Sequence, residues 1–403
     1  MPVLFGEPRI HDPLLKQFID DLKQLITHIL ESTDTKSTKN WADSSSEPDS
    51  LKVLPVHAIP EIRKLAHRYL GFQRRSPACG SRSRSRSRSP CGTPRSNQHE
   101  GKMTQDKKEL LMADFFYTIW NTIIPSFLSR KEQPNDFMRV QAEIYLIYGL
   151  QTIPVDEDDI IQWPKLPLLH QRIRDLFNGE VTLKYQIPVT NFYRPDPIGI
   201  DWVDPIFLSS LETQRALAGL GSTTQKDIVP LVKQRNDWLS LQHFCASLWL
   251  HCGRDEYALY ALWIIRDGLE DWPNDPPSFS SIPGTYENSP AYHVLNVEAA
   301  LVWIIKVAEL MYREIRVWGQ NGNPNWPVCS GAPGKGGARW HGVDGYDIDH
   351  ARWDLWKDVL QKIVEWCDQE ESKGITGLHK LKNNVLDAVV LMEKVDSSFA
   401  SCG

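Results

Sequence analysis

Apolar residues recur every three or four positions along most of this chain, which is the period of a helix rather than a strand. Two stretches forty positions apart read almost alike, Leu262-Trp263-Ile264-Ile265-Arg266 and Val302-Trp303-Ile304-Ile305-Lys306. Each lies in a segment that is apolar nearly all the way round. A helix of that kind is covered by neighbours on every side. The two are therefore expected to form the central pair of a large all-α body, an irregular multi-helix bundle with no substantial sheet. The forty-residue offset suits a helical-pair repeat, but two copies fall short of the three or so that a solenoid needs.

The same period places the other elements. Leu14, Phe18, Leu22, Leu25 and Ile29 follow Pro13, a residue well placed at a helix start. A short helix spans about Pro60 to Leu70. Further helices are expected over Leu110 to Leu128 (kinked or ended at Pro125), Phe137 to Leu150, Leu168 to Phe177 and Pro205 to Leu220. Lys226 to His251 and Asp255 to Glu270 read as a hairpin joined by Cys252-Gly253. Tyr292 to Val317 forms the second central helix. Asp347 is read as an N-cap, opening a helix with Trp353, Trp356, Leu360, Ile363 and Trp366 on one face. Leu378 to Val395 closes the chain. Residues 185 to 203, punctuated by proline, have room for a short extended piece.

Two segments break the pattern. Ser76 to Thr104 contains Ser81-Arg82-Ser83-Arg84-Ser85-Arg86-Ser87-Arg88-Ser89-Pro90 and almost nothing apolar, so burial cannot offset its ordering entropy and disorder is expected. Trp318 to Tyr346 is rich in glycine and proline and long for an internal loop, a class more often functional than neutral. The organisation is then an N-terminal helical extension (1–72), a Ser/Arg-rich insert (73–104) and a helical body (105–403) with a long loop at 318–346.

Charge sharpens this division. The 403 residues carry a formal net charge of -6. Seven arginines and no acid lie between Arg74 and Arg95, which leaves the rest of the chain at -13, that is -6 less those seven positive charges. An acidic body argues against a dedicated nucleic-acid binder, so weak binding through the insert is the most expected there. Phosphorylation of Ser81, Ser83, Ser85, Ser87 or Ser89 adds about -1.5 to -2 charge each and inverts the sign of the insert. The run resembles the arginine-serine segments of splicing-related proteins, here without an RNA-recognition motif. Seven scattered cysteines without Cys-x-x-Cys spacing suit a reducing compartment. With no secretory signal and no apolar run near the roughly 18 residues of a membrane span, a cytoplasmic or nuclear protein is expected.

Candidate chemistry is sparse. Trp326 and Trp340 in the loop have less packing reason to exist than the core tryptophans, and with His341 and Asp344 they are candidate ligand or partner contacts. His341, Asp344, Asp347, Asp349 and His350 also suggest a metal cluster. Yet Tyr346 and Ile348 interrupt the calcium-loop spacing, and the two later aspartates suit a helix start. Gly334-Lys335-Gly336-Gly337 fails the phosphate-loop template at Cys329 and Gly336. His243 and His251 do not share a helix face with Cys245 and Cys252. Asp156 to Ile160 lacks the Asp-Asp-x-x-Asp spacing of terpene-cyclase magnesium motifs, and Asn236-Asp237 with Ser240 begins the second such motif but has Phe244 at its carboxylate position. No Gly-x-Ser-x-Gly or His-Glu-x-x-His occurs. No catalytic, metal or cofactor residue is assigned.

Three stretches together resemble one family. They are Asp255-Glu256-Tyr257-Ala258-Leu259-Tyr260-Ala261-Leu262-Trp263 with Arg266-Asp267-Gly268-Leu269-Glu270, the Tyr292 to Met311 helix, and Arg352-Trp353-Asp354-Leu355-Trp356-Lys357. The pattern is similar to a fungal family known as domain of unknown function 3632, over about Gln105 to Cys367 and without the Ser/Arg insert. The resemblance implies a fungal source and an all-helical body, and brings no activity or cofactor. Its polar members, Arg266 and Glu270 at i,i+4 spacing and Arg352, are read as an internal ion-pair framework. The expected function is a non-enzymatic protein-interaction module with a protein partner and a phosphorylatable basic insert. The alternative is a helical enzyme or small-molecule binder accessory to a fungal biosynthetic pathway, with its pocket under the 318–346 loop.

Overall fold

A computed structural model describes residues 17, 20–25, 59–66, 105–128, 136–154, 161–180, 225–279, 290–347, 349–375 and 377–400. The described residues form helices and no strand, with one isolated antiparallel bridge between Val317 and Gly345. The chain divides into two compact units. One comprises Met1–Ile124 and Thr152–Arg172, the other Pro125–Gln151 and Ile173–Gly403. The division falls inside a helix, at Pro125. Both ends of the first expected helix (14–16 and 26–29), the expected elements at 185–203 and 205–220, and the whole Ser/Arg insert with Ser81, Ser83, Ser85, Ser87 and Ser89, lie outside the described residues.

In the first unit, helices α1 (20–25) and α2 (59–66) bury Leu22, Ile62 and Ala66 completely. Helix α3 (Gln105–Leu128) brings Phe115 and Phe116 edge-on to Trp163, in the short turn Trp163–Lys165. Edge-to-face packing sets the positive ring edge against a negative face. Trp120 donates its indole N–H to the carbonyl of Pro167 at 2.7 Å, meeting the polar demand of a fully buried tryptophan. Pro125 lies within α3, and the helix runs on through it to Leu128.

The second unit contains α4 (Asp136–Gln151) and the end of α5 (Leu169–Asp175), which continues into a π-turn at Leu176–Glu180. Its remaining helices are α6 (Gln225–Cys252), α7 (Ala258–Ile265), α8 (Pro290–Arg313), α9 (Ala351–Ser372) and α10 (Leu378–Ala400). Helix α8 is the hub, packed against α6, α7 and α10. Trp303 on α8 is fully buried and donates to Gln242 Oε1 on α6 at 3.0 Å, beside Trp249. Helix α10 buries Leu381, Val385, Ala388, Met392 and Val395, a stripe at three- and four-residue spacing.

Neither expected central helix is covered all the way round. Trp263 on α7 is only half-buried, and Ile305 on α8 is exposed. The reason is local. The outer face of α7 meets the 318–346 loop, where Trp263 Nε1 donates to the Pro333 carbonyl at 2.7 Å. Helix α8 ends at Arg313 rather than Val317, because Glu314 folds back to accept the N–H groups of Ile315 and Arg316. Helix α9 begins at Ala351, after the expected cap Asp347. That carboxylate still serves the helix start, accepting from the N–H groups of Asp349 and Ala351 at 3.2 and 3.0 Å.

Candidate functional site

The polar centre of the second unit grows from a change in helical pitch. After Ile265 the chain widens into a π-turn over Arg266–Glu270, closed by Asp271 N–H donating to the Arg266 carbonyl at 2.8 Å. Such single-turn widenings recur at functional positions. Gly268 lets the turn pack closely on α8, since a Cβ there would lie 2.5 Å from the Asn296 carbonyl oxygen. The turn carries Glu270 to full burial.

Glu270 meets Arg352 from the first turn of α9, and both side chains are at most 1% exposed. Arg352 Nε donates to Oε1 at 2.6 Å and Nη2 to Oε2 at 2.9 Å, the two-pronged geometry that suits a carboxylate. Trp356 Nε1 adds a bond to Oε1 at 2.8 Å, and the Gly337 N–H a bond to Oε2 at 2.7 Å. Four donors thus fill the roughly four acceptor positions of one ionised carboxylate. Arg352 Nη1 reaches the carbonyls of Gly334 and Gly345 at 3.2 and 2.5 Å, and the Trp340 ring lies 5.4 Å from its guanidinium carbon.

The pair therefore fastens the long loop from inside. A second seam runs beside it. The Arg339 N–H donates to the Glu270 carbonyl at 3.1 Å, the Ala338 N–H to Asp271 Oδ1 at 2.7 Å, and Arg339 Nε to the Trp272 carbonyl at 2.7 Å. Tyr346 is buried, and its hydroxyl donates to the Ala258 carbonyl at 3.0 Å. Desolvation pushes its phenol above the ordinary tyrosine range. Gly334 sits where a Cβ would fall 2.2 Å from the Asp344 carbonyl oxygen. On the far side of the unit, buried Glu370 accepts from Ser278 Oγ, the Phe279 N–H and Lys373 Nζ, at 2.9, 3.1 and 2.6 Å, and so holds the 271–279 connection.

The residues singled out in the loop do not converge on a common point. Asp344 is buried and bonded within the loop, its Oδ2 accepting the Asn321 N–H at 3.1 Å. Trp340 donates to the Val343 carbonyl at 2.9 Å while covering Arg352. Trp326 is half-buried and donates to Gly331, and His341 is exposed. The space directly under the loop holds the Glu270–Arg352 pair. Arg266 does not pair with Glu270. It bonds Asp267 instead, because the π-turn directs Glu270 inward while Arg266 stays half-exposed. Among the described residues no three His, Cys, Asp or Glu side chains group as a metal site would require, and no helix is long and apolar enough to cross a membrane.

A family model described as "Protein of unknown function (DUF3632)" matches residues 136–360, more than half of the chain. The chain belongs to the DUF3632 family. The match includes the π-turn, the loop and the start of α9, so the Glu270–Arg352 junction falls inside the DUF3632 region while α10 lies beyond it. No curated protein and no solved structure matches the chain. Within the DUF3632 region, periodicity gave no sign of Gly337, Trp356 or Tyr346 as partners of the junction. Their bonds cross 67, 86 and 88 positions.

Proposed function

We propose that this DUF3632 chain is a cytoplasmic or nuclear protein-interaction module that presents its 318–346 loop to a protein partner. The observation that carries the reading is Val328, 78% exposed at the tip of a loop whose base is bonded from inside by buried charges. A rigidly positioned loop showing an apolar side chain to solvent suits recognition better than it suits packing. Half-buried Trp326 and exposed Pro327 extend the apolar tip.

The Ser/Arg run supplies the regulatory half. Unmodified, Arg82 to Arg88 is suited to dock on an acidic body or an acidic partner, and phosphorylation of Ser81 to Ser89 releases it. An RNA-associated role has support only from those arginines. An enzyme or small-molecule binder with its pocket under the loop has less support, because the Glu270–Arg352 pair occupies that space.

The test compares proteins recovered by the full chain, by a chain lacking Ser76 to Arg95, and by Val328→Asp, each with and without phosphatase treatment. The expected outcome is a partner lost on Val328→Asp and a phosphatase-sensitive set that requires the insert. Identical sets from all three baits overturn the reading.

A further inference from the structure

Where α8 ends, α9 begins and α10 finishes, the surface opens into a shallow groove of about 430 Å³. Its floor is aromatic. The His350 imidazole lies flat on Tyr312, centroids 3.9 Å apart and planes within 11°, and Phe399 lies 5.1 Å from Tyr312. Ile315, 59% exposed, forms one wall. His350 holds the stack from a left-handed backbone conformation, φ +58°. Such strain in a residue other than glycine persists where the surroundings enforce it, and it is common at ligand sites.

The charges at the groove are lopsided. Asp396 is engaged by Lys357 Nζ and by the Tyr312 hydroxyl, Glu314 by Arg316, and Asp347 by backbone N–H groups. Arg313, by contrast, lies over Phe399 at 4.8 Å with Glu309 as its carboxylate at 3.9 Å, both side chains well exposed. Such a pair is worth close to nothing, so the guanidinium retains its hydrogen-bonding capacity. Behind Tyr312 and His350 a void of about 10 Å³ is lined by Trp353, whose buried indole N–H has no acceptor. A donor with spare capacity thus stands at the mouth of the groove and an unmet one behind it, while Asp396, Glu314 and Asp347 are already engaged.

We infer that this groove, outside the 318–346 loop, binds a small flat aromatic carboxylate, its ring against Tyr312, His350 and Phe399 and its carboxylate on Arg313. The test titrates the full chain with 2-naphthoate and with its uncharged analogue 2-naphthamide, followed by calorimetry and by saturation-transfer NMR. Naphthoate is expected to bind about tenfold tighter than the amide, the gain of one good charge-assisted contact. Arg313→Gln should erase that gap and leave amide binding intact. Ile315→Asp, a surface change that leaves the fold in place, should weaken both ligands. Equal binding of the two compounds by the unmodified chain overturns the inference. So does an absence of naphthoate binding at millimolar concentration, or binding unaltered by either substitution.

Discussion

Glu270 and Arg352 lie 82 positions apart and meet in the dry interior through two hydrogen bonds, at 2.6 and 2.9 Å. A buried ion pair of this kind is weak evidence for stability in itself, since desolvation of both charges opposes their attraction. Removing one partner is another matter, because the survivor is left charged and unpaired. Arg352→Met or Glu270→Met should each cost about 3–5 kcal/mol, whereas the double change to Met at both positions should cost less than the sum of the two single changes. Urea unfolding of the four proteins checks this. Additive losses would mean that the two side chains do not act as a pair.

The glycines at the junction separate loop attachment from core packing. Gly334→Ala places a methyl 2.2 Å from the Asp344 carbonyl oxygen, and Gly268→Ala places one 2.5 Å from the Asn296 carbonyl oxygen. Both atoms are backbone and cannot rotate away. Each change should cost about 1–3 kcal/mol. Gly334→Ala should alter only the loop signals in an amide NMR spectrum, while Gly268→Ala should also shift α8. Shifts confined to the loop in both variants would contradict the packing described for the π-turn.

Lys306 on α8 is half-buried, and burial pushes its ammonium down to about 8 from the ordinary lysine value of 10.5. The unfolded chain then holds the proton more tightly, so its protonation in the folded state opposes folding below about pH 8. Stability should rise as pH climbs from about 8 towards 10.5. Lys306→Met should therefore stabilise the chain at pH 7 by on the order of 1–2 kcal/mol, a figure reduced for partial exposure. That advantage should fade by pH 10.5. Thermal melts across this range decide it. A pH-independent difference would contradict the burial effect.

The described thiols should differ sharply in reactivity. Burial pushes Cys252 and Cys367 up to about 12 and also raises Cys245 well above the ordinary thiol range, whereas Cys329 is exposed on the loop. Only thiolates react readily. Brief iodoacetamide treatment at pH 8, followed by peptide mass spectrometry, should label Cys329 and spare the other three. Prompt labelling of Cys245 would mean that the core opens freely.

Much of the helical body was legible from spacing alone. The face of α9 carrying Trp353, Trp356, Leu360, Ile363 and Trp366 was read from its period, and those five residues are buried. Helix ends were less legible, because they depend on single side chains such as Glu314, which folds back on its own backbone. The junction was legible only in its members. Arg266, Glu270 and Arg352 stood out as polar residues in an apolar setting, yet the i,i+4 rule matched Glu270 with Arg266. That rule assumes regular α-helical pitch, and the π-turn at Arg266–Glu270 removes the assumption. Local spacing carries no information about a partner 82 positions away.

The central claim is that one buried carboxylate fastens the 318–346 loop to the helical body. Hydrogen exchange of the Gly337 and Arg339 amides in the unmodified chain and in Glu270→Gln tests it directly. Both amides bond to Glu270, through its side chain and its backbone respectively. The substitution should speed exchange at Gly337 most, then across the loop, while the Trp303 region of α8 stays protected. Unchanged protection at Gly337, or equal loss throughout the second unit, would contradict the claim.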